Sequence, residues 1–227
     1  MLVRFIEGAF WNLEHKGVPV SALIEETVAW RESVGAHAIT PASLGARARG
    51  RDIVGPLAPA LRAGAIVVHG RDRDGRPIMH VRLGALFGKG YSAEQCLRYA
   101  VYTVERAWRA RARGVEAYTI VADCRGFGLT HLPPLPFLRA MFGMLSRHYP
   151  MRLGHILLCN ASASVHLCWR VCSPIVPPRT KDKIVFAREG DRALVARYVA
   201  PAELPRALGG ASAYEYDAAR YFAEAHA

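Results

Sequence analysis

The sequence predicts an α/β protein, a mostly parallel sheet with helices plus a small helical N-terminal element. Two segments, AYTIVADC (117–124) and HILLC (155–159), are short, rich in branched side chains and apolar on both faces, as strands covered on both sides are. They alternate with amphipathic helical patterns, and strand–helix–strand order implies parallel pairing through right-handed crossovers. The chain has 227 residues, 52% hydrophobic and 22% charged. It is long enough to bury roughly 70% of its unfolded surface around one core and too apolar for wholesale disorder.

The elements follow in order. In SALIEETVAWRESV (21–34), Leu23, Thr27, Trp30 and Val34 form one helical stripe, with Ser21 as the expected N-cap and Gly35 as the stop. The Ala-, Gly-, Pro- and Arg-rich run that follows reads as a linker with a short helix near Leu57 to Leu61. AIVVH (65–69) and RPIMHVRL (76–83) read as strands joined through Asp74-Gly75. Ser92 and Gln95 form a capping box ahead of a long helix. Its expected inner face carries Leu97, Val101, Val104 and Trp108, its outer face Arg98, Arg106, Arg109 and Arg113, and Gly114 is expected to close it. A helix over 135–148 should turn Leu138, Met141, Phe142 and Leu145 inward before Tyr149-Pro150 ends it. The expected division is an N-terminal helical element and linker over 1–50 and one α/β domain over 51–227.

Charge and motifs narrow the function. Thirty Lys and Arg against nineteen Asp and Glu give a net charge of +11, which favours phosphate-bearing partners or a solvated basic surface. Five cysteines without C-x-x-C spacing fit a reducing compartment. Cys168 and Cys172 share a helix face near His166, but further ligands for a metal are not evident. The N-terminus lacks a signal-peptide pattern, and no apolar run is long enough to cross a bilayer. Cytoplasmic residence and, at most, peripheral membrane contact are therefore expected. Gly126 and Gly128 follow a strand without completing a dinucleotide fingerprint, and neither a P-loop nor a nucleophile elbow occurs. Asp123, at a strand end, reads as a turn-capping carboxylate before it reads as a general base. An enzyme is not expected, and neither is a cofactor.

The stretch from Asn160 to Pro177 is different. Val165, Leu167, Cys168, Trp169, Val171, Cys172, Ile175 and Val176 surround any helix they form, and a helix apolar all round must lie against protein or lipid. Its neighbours carry a run of marks in fixed order. These are D-x-x-G-R-P at Asp72 to Pro77, Glu105 inside a helix, D-x-x-G at Asp123 to Gly126, Y-P-x-R at Tyr149 to Arg152, and N-A at Asn160. P-x-T-x-x-K-I at Pro178 to Ile184 and L-P-x-x-x-G-G at Leu204 to Gly210 complete the run, and Arg4-Phe5 with Trp30-Arg31 matches a helical annex. In this order the chain resembles the CRAL-TRIO lipid-binding family, the fold of the secretory phosphatidylinositol-transfer proteins.

The resemblance implies an apolar lipid pocket above the sheet, gated by the helix holding Val165, Trp169 and Cys172. It further implies that Leu153, Ile156, Leu158 and Thr130 line the pocket and that Thr180 and Lys183 hold a headgroup. A hydroxyl and an ammonium suit a phosphate. The expected cargo is a lipid, with phospholipid foremost, and the expected partner is a transient anionic membrane surface, met by a monomer. Two positions depart from the family's phosphoinositide binders: Met151 stands where they carry an acidic residue, and Glu7-Gly8-Ala9-Phe10 stands where they carry a basic cluster. The rivals are a lipid-sensing docking module, a Rossmann-like enzyme using Asp123, and nucleic-acid binding through the arginine-rich linker and helix.

Overall fold

The computed structural model describes residues 4–5, 17–36, 60, 62–86, 93–132 and 135–223, with the backbone of the short pairs 14–15, 47–48 and 51–52. Its centre is one five-stranded sheet: β1 (Ile66–Arg71), β2 (Pro77–Arg82), β3 (Tyr118–Asp123), β4 (Leu153–Cys159) and β5 (Ile184–Phe186). The strands lie in sequence order. β1 and β2 are an antiparallel hairpin, and β2, β3, β4 and β5 are mutually parallel. The hairpin turn forms because Gly75 adopts φ +75° and the Asp72 carboxylate accepts from the Asp74 and Arg76 amides at 2.9 and 2.8 Å.

The helices are α1 (Val20–Ser33), α2 (Leu83–Leu86), α3 (Ala93–Arg109), α4 (Leu135–His148), α5 (Ala163–Cys172), α6 (Pro178–Lys181), α7 (Arg192–Ala196) and α8 (Ala218–Ala223), with 3₁₀ turns at Leu129–His131 and Ser173–Ile175. Tyr99, Val101, Tyr102, Val104 and Ala107 of α3 pack with Ile66, Val68, Met79, Val81, Tyr118 and Ala122 on one sheet face. The other face carries Ile78, Val121, Leu157 and Cys159, closed by Val195, Val199 and Leu204 from the C-terminal segment. The chain end then returns to the edge strand, where the Tyr221 hydroxyl accepts from the Val68 amide at 2.9 Å. That contact satisfies a donor an open edge would leave to solvent or a neighbour.

Three expectations are corrected here. Pro19, in extended backbone, precedes α1, so Ser21 lies inside the first turn and does not cap it. Gly35 does close α1, at φ +62° with the Ala36 amide bonded to the Arg31 carbonyl at 2.9 Å. Helix α3 ends at Arg109, before Gly114. The Arg111 guanidinium stacks on Trp108 at 3.5 Å and donates to the Trp108 carbonyl at 2.6 Å, taking up a terminal acceptor that a continued helix would have used. Finally, Arg106 does not stand in water; it lies 3.5 Å over the Tyr221 ring. The expected Ser92 cap and the short helix near Leu57 to Leu61 lie outside the described residues, apart from Ala60.

Helix α1 is tied to the body by side chains that no local spacing connects. Arg31 forms a fork on Glu105 at 2.7 and 3.1 Å, and the Tyr149 hydroxyl donates to the same carboxylate at 2.8 Å. Trp30 stacks on His148 at 4.2 Å, and Thr27 meets the same imidazole at 3.0 Å. Burial alone would raise the Glu105 carboxyl; the bonds and charge of Arg31, with Tyr149 and Arg152, outweigh it and hold it below its ordinary value.

Candidate functional site

The two faces of the sheet are filled unequally. On the face closed by the C-terminal segment, Thr119 and Val121 are 0% exposed and Leu157 is 1% exposed. On the opposite face, Ile120, Ile156, Leu158, Ile184 and Phe186 all remain half-buried, although register sets Ile120, Ile156 and Ile184 side by side on the three adjacent strands β3, β4 and β5. Apolar side chains in the middle of a covered sheet normally lose their accessible surface to close packing. Here they keep some of it, although Ile120 and Leu158 pack in one cluster with Met144 and Leu145 of the layer above.

That layer is α4 and α5. From α4, Leu138 is buried while Met141, Phe142, Met144 and Leu145 are half-buried. From α5, Val165 and Cys168 are buried, Trp169 and Cys172 half-buried, and Leu167 and Val171 exposed. Val165 packs with Cys124, Ala161, Leu158 and Phe186, and Trp169 meets the Phe186 ring edge-on at 5.8 Å. The helix rests on the edge strand β5 at Phe186, which Val165, His166 and Trp169 all meet. Burial, and for Cys172 the neighbouring Cys168, raises both thiols above the ordinary cysteine value, which keeps them neutral and apolar.

The structure places the expected lining residues as follows. Ile156 and Leu158 lie on the half-filled face, with Val165 and Trp169 above its β5 side. Leu153 lies at the start of β4, packed against the main core. A register shift between Tyr118 and Ile120 keeps it on the same face as Ile156. Gly154 sits in that irregularity, where a Cβ would fall 2.7 Å from Arg76 Cδ, so a larger residue there would displace the Arg76 side chain. Thr130 is exposed on the Leu129–His131 turn, its hydroxyl 3.2 Å from His131 Nδ1. Three residues of the same surface, Ile120, Ile184 and Phe186, were not singled out from sequence. The strand alternation i, i+2 through Ile184 and Phe186 carried that signal.

Lys183 and Thr180 lie at the opening of β5, at the end where the parallel strands begin. The Lys183 ammonium donates to the Leu153 carbonyl at 2.5 Å. Burial, and then the charges of Arg179, Arg76 and Arg4, push its pKa below the ordinary lysine value. Arg179 contacts the Met151 sulfur at 3.4 Å, and Arg4 donates to the Met151 carbonyl at 3.2 Å while pairing with Glu116 at 2.9 Å. Met151, at φ +56°, thus sits among cations where an acidic side chain would have neutralised one of them. Mutual repulsion of this kind is relieved by an anion.

At the other end, Asp123 is a turn anchor. Its carboxylate accepts from the Arg125 amide at 3.1 Å, from the Arg125 guanidinium at 2.6 Å and from Asn160 at 2.9 Å. Burial would raise it, but these bonds leave it lowered and ionised, with its lone pairs already engaged.

The site thus joins a parallel sheet with one partly exposed apolar face beneath a helix to a cationic cluster at the strand beginnings. Residues 61–210 match the family described as the CRAL/TRIO domain, and the chain belongs to that family. It is 23% identical over 221 residues to CRAL-TRIO domain-containing protein C23B6.04c of Schizosaccharomyces pombe, covering 97% of this chain and 20% of that protein. It is 23% identical over 222 residues to phosphatidylinositol transfer protein CSR1 of Eremothecium gossypii, covering 96% and 48%. It is 28% identical over 156 residues to phosphatidylinositol/phosphatidylcholine transfer protein SFH9 of Arabidopsis thaliana, covering 63% and 27%. The chain thus spans half or less of the length of these relatives. The crystal structure of Sfh5 superposes with a TM-score of 0.67 at 12% identity, over 97% of this chain and 73% of that one, and shares the fold.

Proposed function

We propose that this protein holds one phospholipid between the β3–β5 face and helices α4 and α5, and carries or presents it at membranes without catalysing a reaction. The observation that carries this reading is the row Ile120, Ile156 and Ile184, half-buried from the centre of the sheet to its β5 edge beneath two helices. The relatives named as phosphatidylinositol transfer proteins support the same reading. Acyl chains occupy the apolar space, lined by Ile156, Leu158, Val165, Trp169 and Cys172, with Leu153 at its lower end and Thr130 at its outer rim. The phosphate rests on Lys183 and Thr180, where Arg179 adds charge. Met151 in place of a carboxylate leaves the cluster more cationic and tilts preference toward anionic headgroups.

The energetics fit exchange. Each CH₂ taken from water into the pocket contributes about 0.8 kcal/mol, yet extraction from a bilayer exchanges one apolar medium for another and is nearly balanced. The rate then depends on α5 lifting from Phe186. The protein acts as a monomer in a reducing, cytosolic setting, which its five free cysteines support. Among the described residues no helix is long and apolar enough to cross a membrane, and contact with the bilayer is peripheral in this reading.

The test is transfer of a fluorescent phospholipid between donor and acceptor vesicles. Lys183→Ala with Thr180→Ala should slow transfer of an anionic phospholipid about tenfold, the effect of about 1.4 kcal/mol, and leave a neutral diacylglycerol less affected. Trp169→Asp should slow both. Transfer at the wild-type rate by Trp169→Asp would contradict the proposal.

A further inference from the structure

The end of α3 and the loop after it read RAWRARAR over 106–113, and the hairpin turn reads RDRDGR over 71–76. The fold brings these two stretches together. The Arg71 guanidinium donates to the Ala110 carbonyl at 2.9 Å and to the Gly75 carbonyl at 3.2 Å, and a Cβ on Gly75 would stand 3.8 Å from Val115. Arg73 joins the turn to a third stretch, the end of α7. Its side chain donates to the Ala196 carbonyl at 2.6 Å and its amide to the Tyr198 carbonyl at 2.8 Å. Along this line Arg109, Arg113, Arg71, Arg73 and Arg197 are all exposed.

Only part of that gathering serves the fold. Arg71 and Arg73 take up carbonyls that the helix ends leave unpaired. Arg109, Arg113 and Arg197 have no carboxylate partner among the described residues. The acids close by are occupied: Asp72 is buried and accepts from Thr119 at 2.6 Å, Asp74 pairs with Arg76 at 2.8 Å, Glu116 pairs with Arg4 at 2.9 Å, and Glu203 accepts from the Arg71 amide at 3.3 Å. Crowding like charges on one surface costs stability, and no side chain of these stretches offsets the charge of those three arginines.

We propose that this arginine line, from Arg109 and Arg113 across Arg71 and Arg73 to Arg197, is a docking surface for an acidic segment of another protein. A guanidinium presents parallel N–H groups that match a carboxylate, and all five positions are arginine. A bilayer fits this surface poorly: no large hydrophobic side chain is exposed within 71–76, 106–117 or 192–200, so nothing here enters an acyl layer. Nucleic acid fits poorly as well. Trp108 already carries Arg111 at 3.5 Å and Arg152 at 3.8 Å over its ring, and Tyr198 meets the His155 ring at 4.9 Å, so neither is a free platform for a base. Asp74 and Glu203 interrupt the line; a phosphate backbone, charged at every step, meets them at a cost, whereas a peptide can set a neutral residue opposite each. The surface is built from elements other than those of the proposed lipid space, and the proposal stands whether or not the chain carries lipid.

The experiment is fluorescence anisotropy of the full chain with a labelled peptide of alternating glutamate and serine and with a labelled single-stranded RNA, beside co-sedimentation with phosphatidylserine vesicles. Wild type should bind the peptide saturably, and added salt should weaken it. Arg109→Ala with Arg113→Ala should lower peptide affinity about fivefold, and Arg197→Ala alone about twofold, each at the wild-type melting temperature. Arg139→Ala with Arg170→Ala removes the same charge from exposed positions on α4 and α5 and should change affinity by less than about twofold. The proposal is overturned if wild type does not bind the peptide, or if the Arg139 and Arg170 variant loses as much as the Arg109 and Arg113 variant, since net charge would then be the cause. It is overturned equally if RNA or vesicles bind more tightly than the peptide and are released by the Arg109 and Arg113 substitutions, which would give the surface to that partner.

Discussion

Ile156 and Leu157 are consecutive residues of β4 whose side chains point to opposite faces, and the two faces predict opposite costs for the same substitution. Leu157 is 1% exposed, packed with Ile78, Val121 and Cys159. Leu157→Trp forces several extra heavy atoms into a filled core, and overpacking costs about 1–3 kcal/mol. For a chain of this size each kcal/mol lowers the melting temperature by about 2–4 °C, so a fall of roughly 3–10 °C is expected. Ile156 keeps accessible surface under α4 and α5. Ile156→Trp places its ring in that space, gains apolar burial there, and should leave the lipid-free melting temperature within about 2 °C of wild type or raise it. It should also abolish lipid retention, because the indole and an acyl chain compete for one volume. The assay is thermal unfolding of delipidated protein followed by circular dichroism, paired with fluorescent-lipid binding. Equal destabilisation by the two substitutions would refute the reasoning, since it would mean that both faces are equally full.

Two further predictions concern stability. Glu105→Gln leaves Arg31 and Arg152 without the buried carboxylate that holds them, and breaking a buried pair costs about 3 kcal/mol, a fall in melting temperature of roughly 6–12 °C; a fall under 2 °C would show that α1 is held otherwise. His80, whose Nδ1 is buried without a partner, is depressed by burial and then by His69 to about 4 from an ordinary 6.5. The neutral form is favoured in the fold, so stability is complete above pH 6.5 and is lost as pH falls toward 4, by about 2–3 kcal/mol. His80→Leu should flatten that part of the pH profile measured by urea unfolding, and an unchanged slope would exclude this histidine as its source.

Much of this was legible before any coordinates. The β3 and β4 segments declare themselves by branched apolar residues on both faces, and α4 by its stripe from Leu138 to Leu145 ended at Tyr149-Pro150. The ordered marks from Asp72 to Gly210 point to the family. What was not legible depends on contacts between distant residues. Nothing near Glu105 indicates that Arg31, 74 positions away, will fork onto it. Nothing near Trp108 indicates that Arg152, 44 positions away, will lie 3.8 Å over its ring. The cations crowded at Lys183 come from three separate stretches of chain, around Arg4, Arg76 and Arg179, so their crowding is a property of the fold. The unequal filling of the two sheet faces is of the same kind, because alternation tells which side chains share a face and not how closely the next layer approaches.

Native mass spectrometry of the purified chain, followed by extraction and identification of whatever it carries, tests the lipid-carrying claim most directly. The account predicts one phospholipid-sized apolar molecule per protein, displaced by Ile156→Trp. A chain that remains folded and ligand-free after exposure to phospholipid vesicles would contradict it.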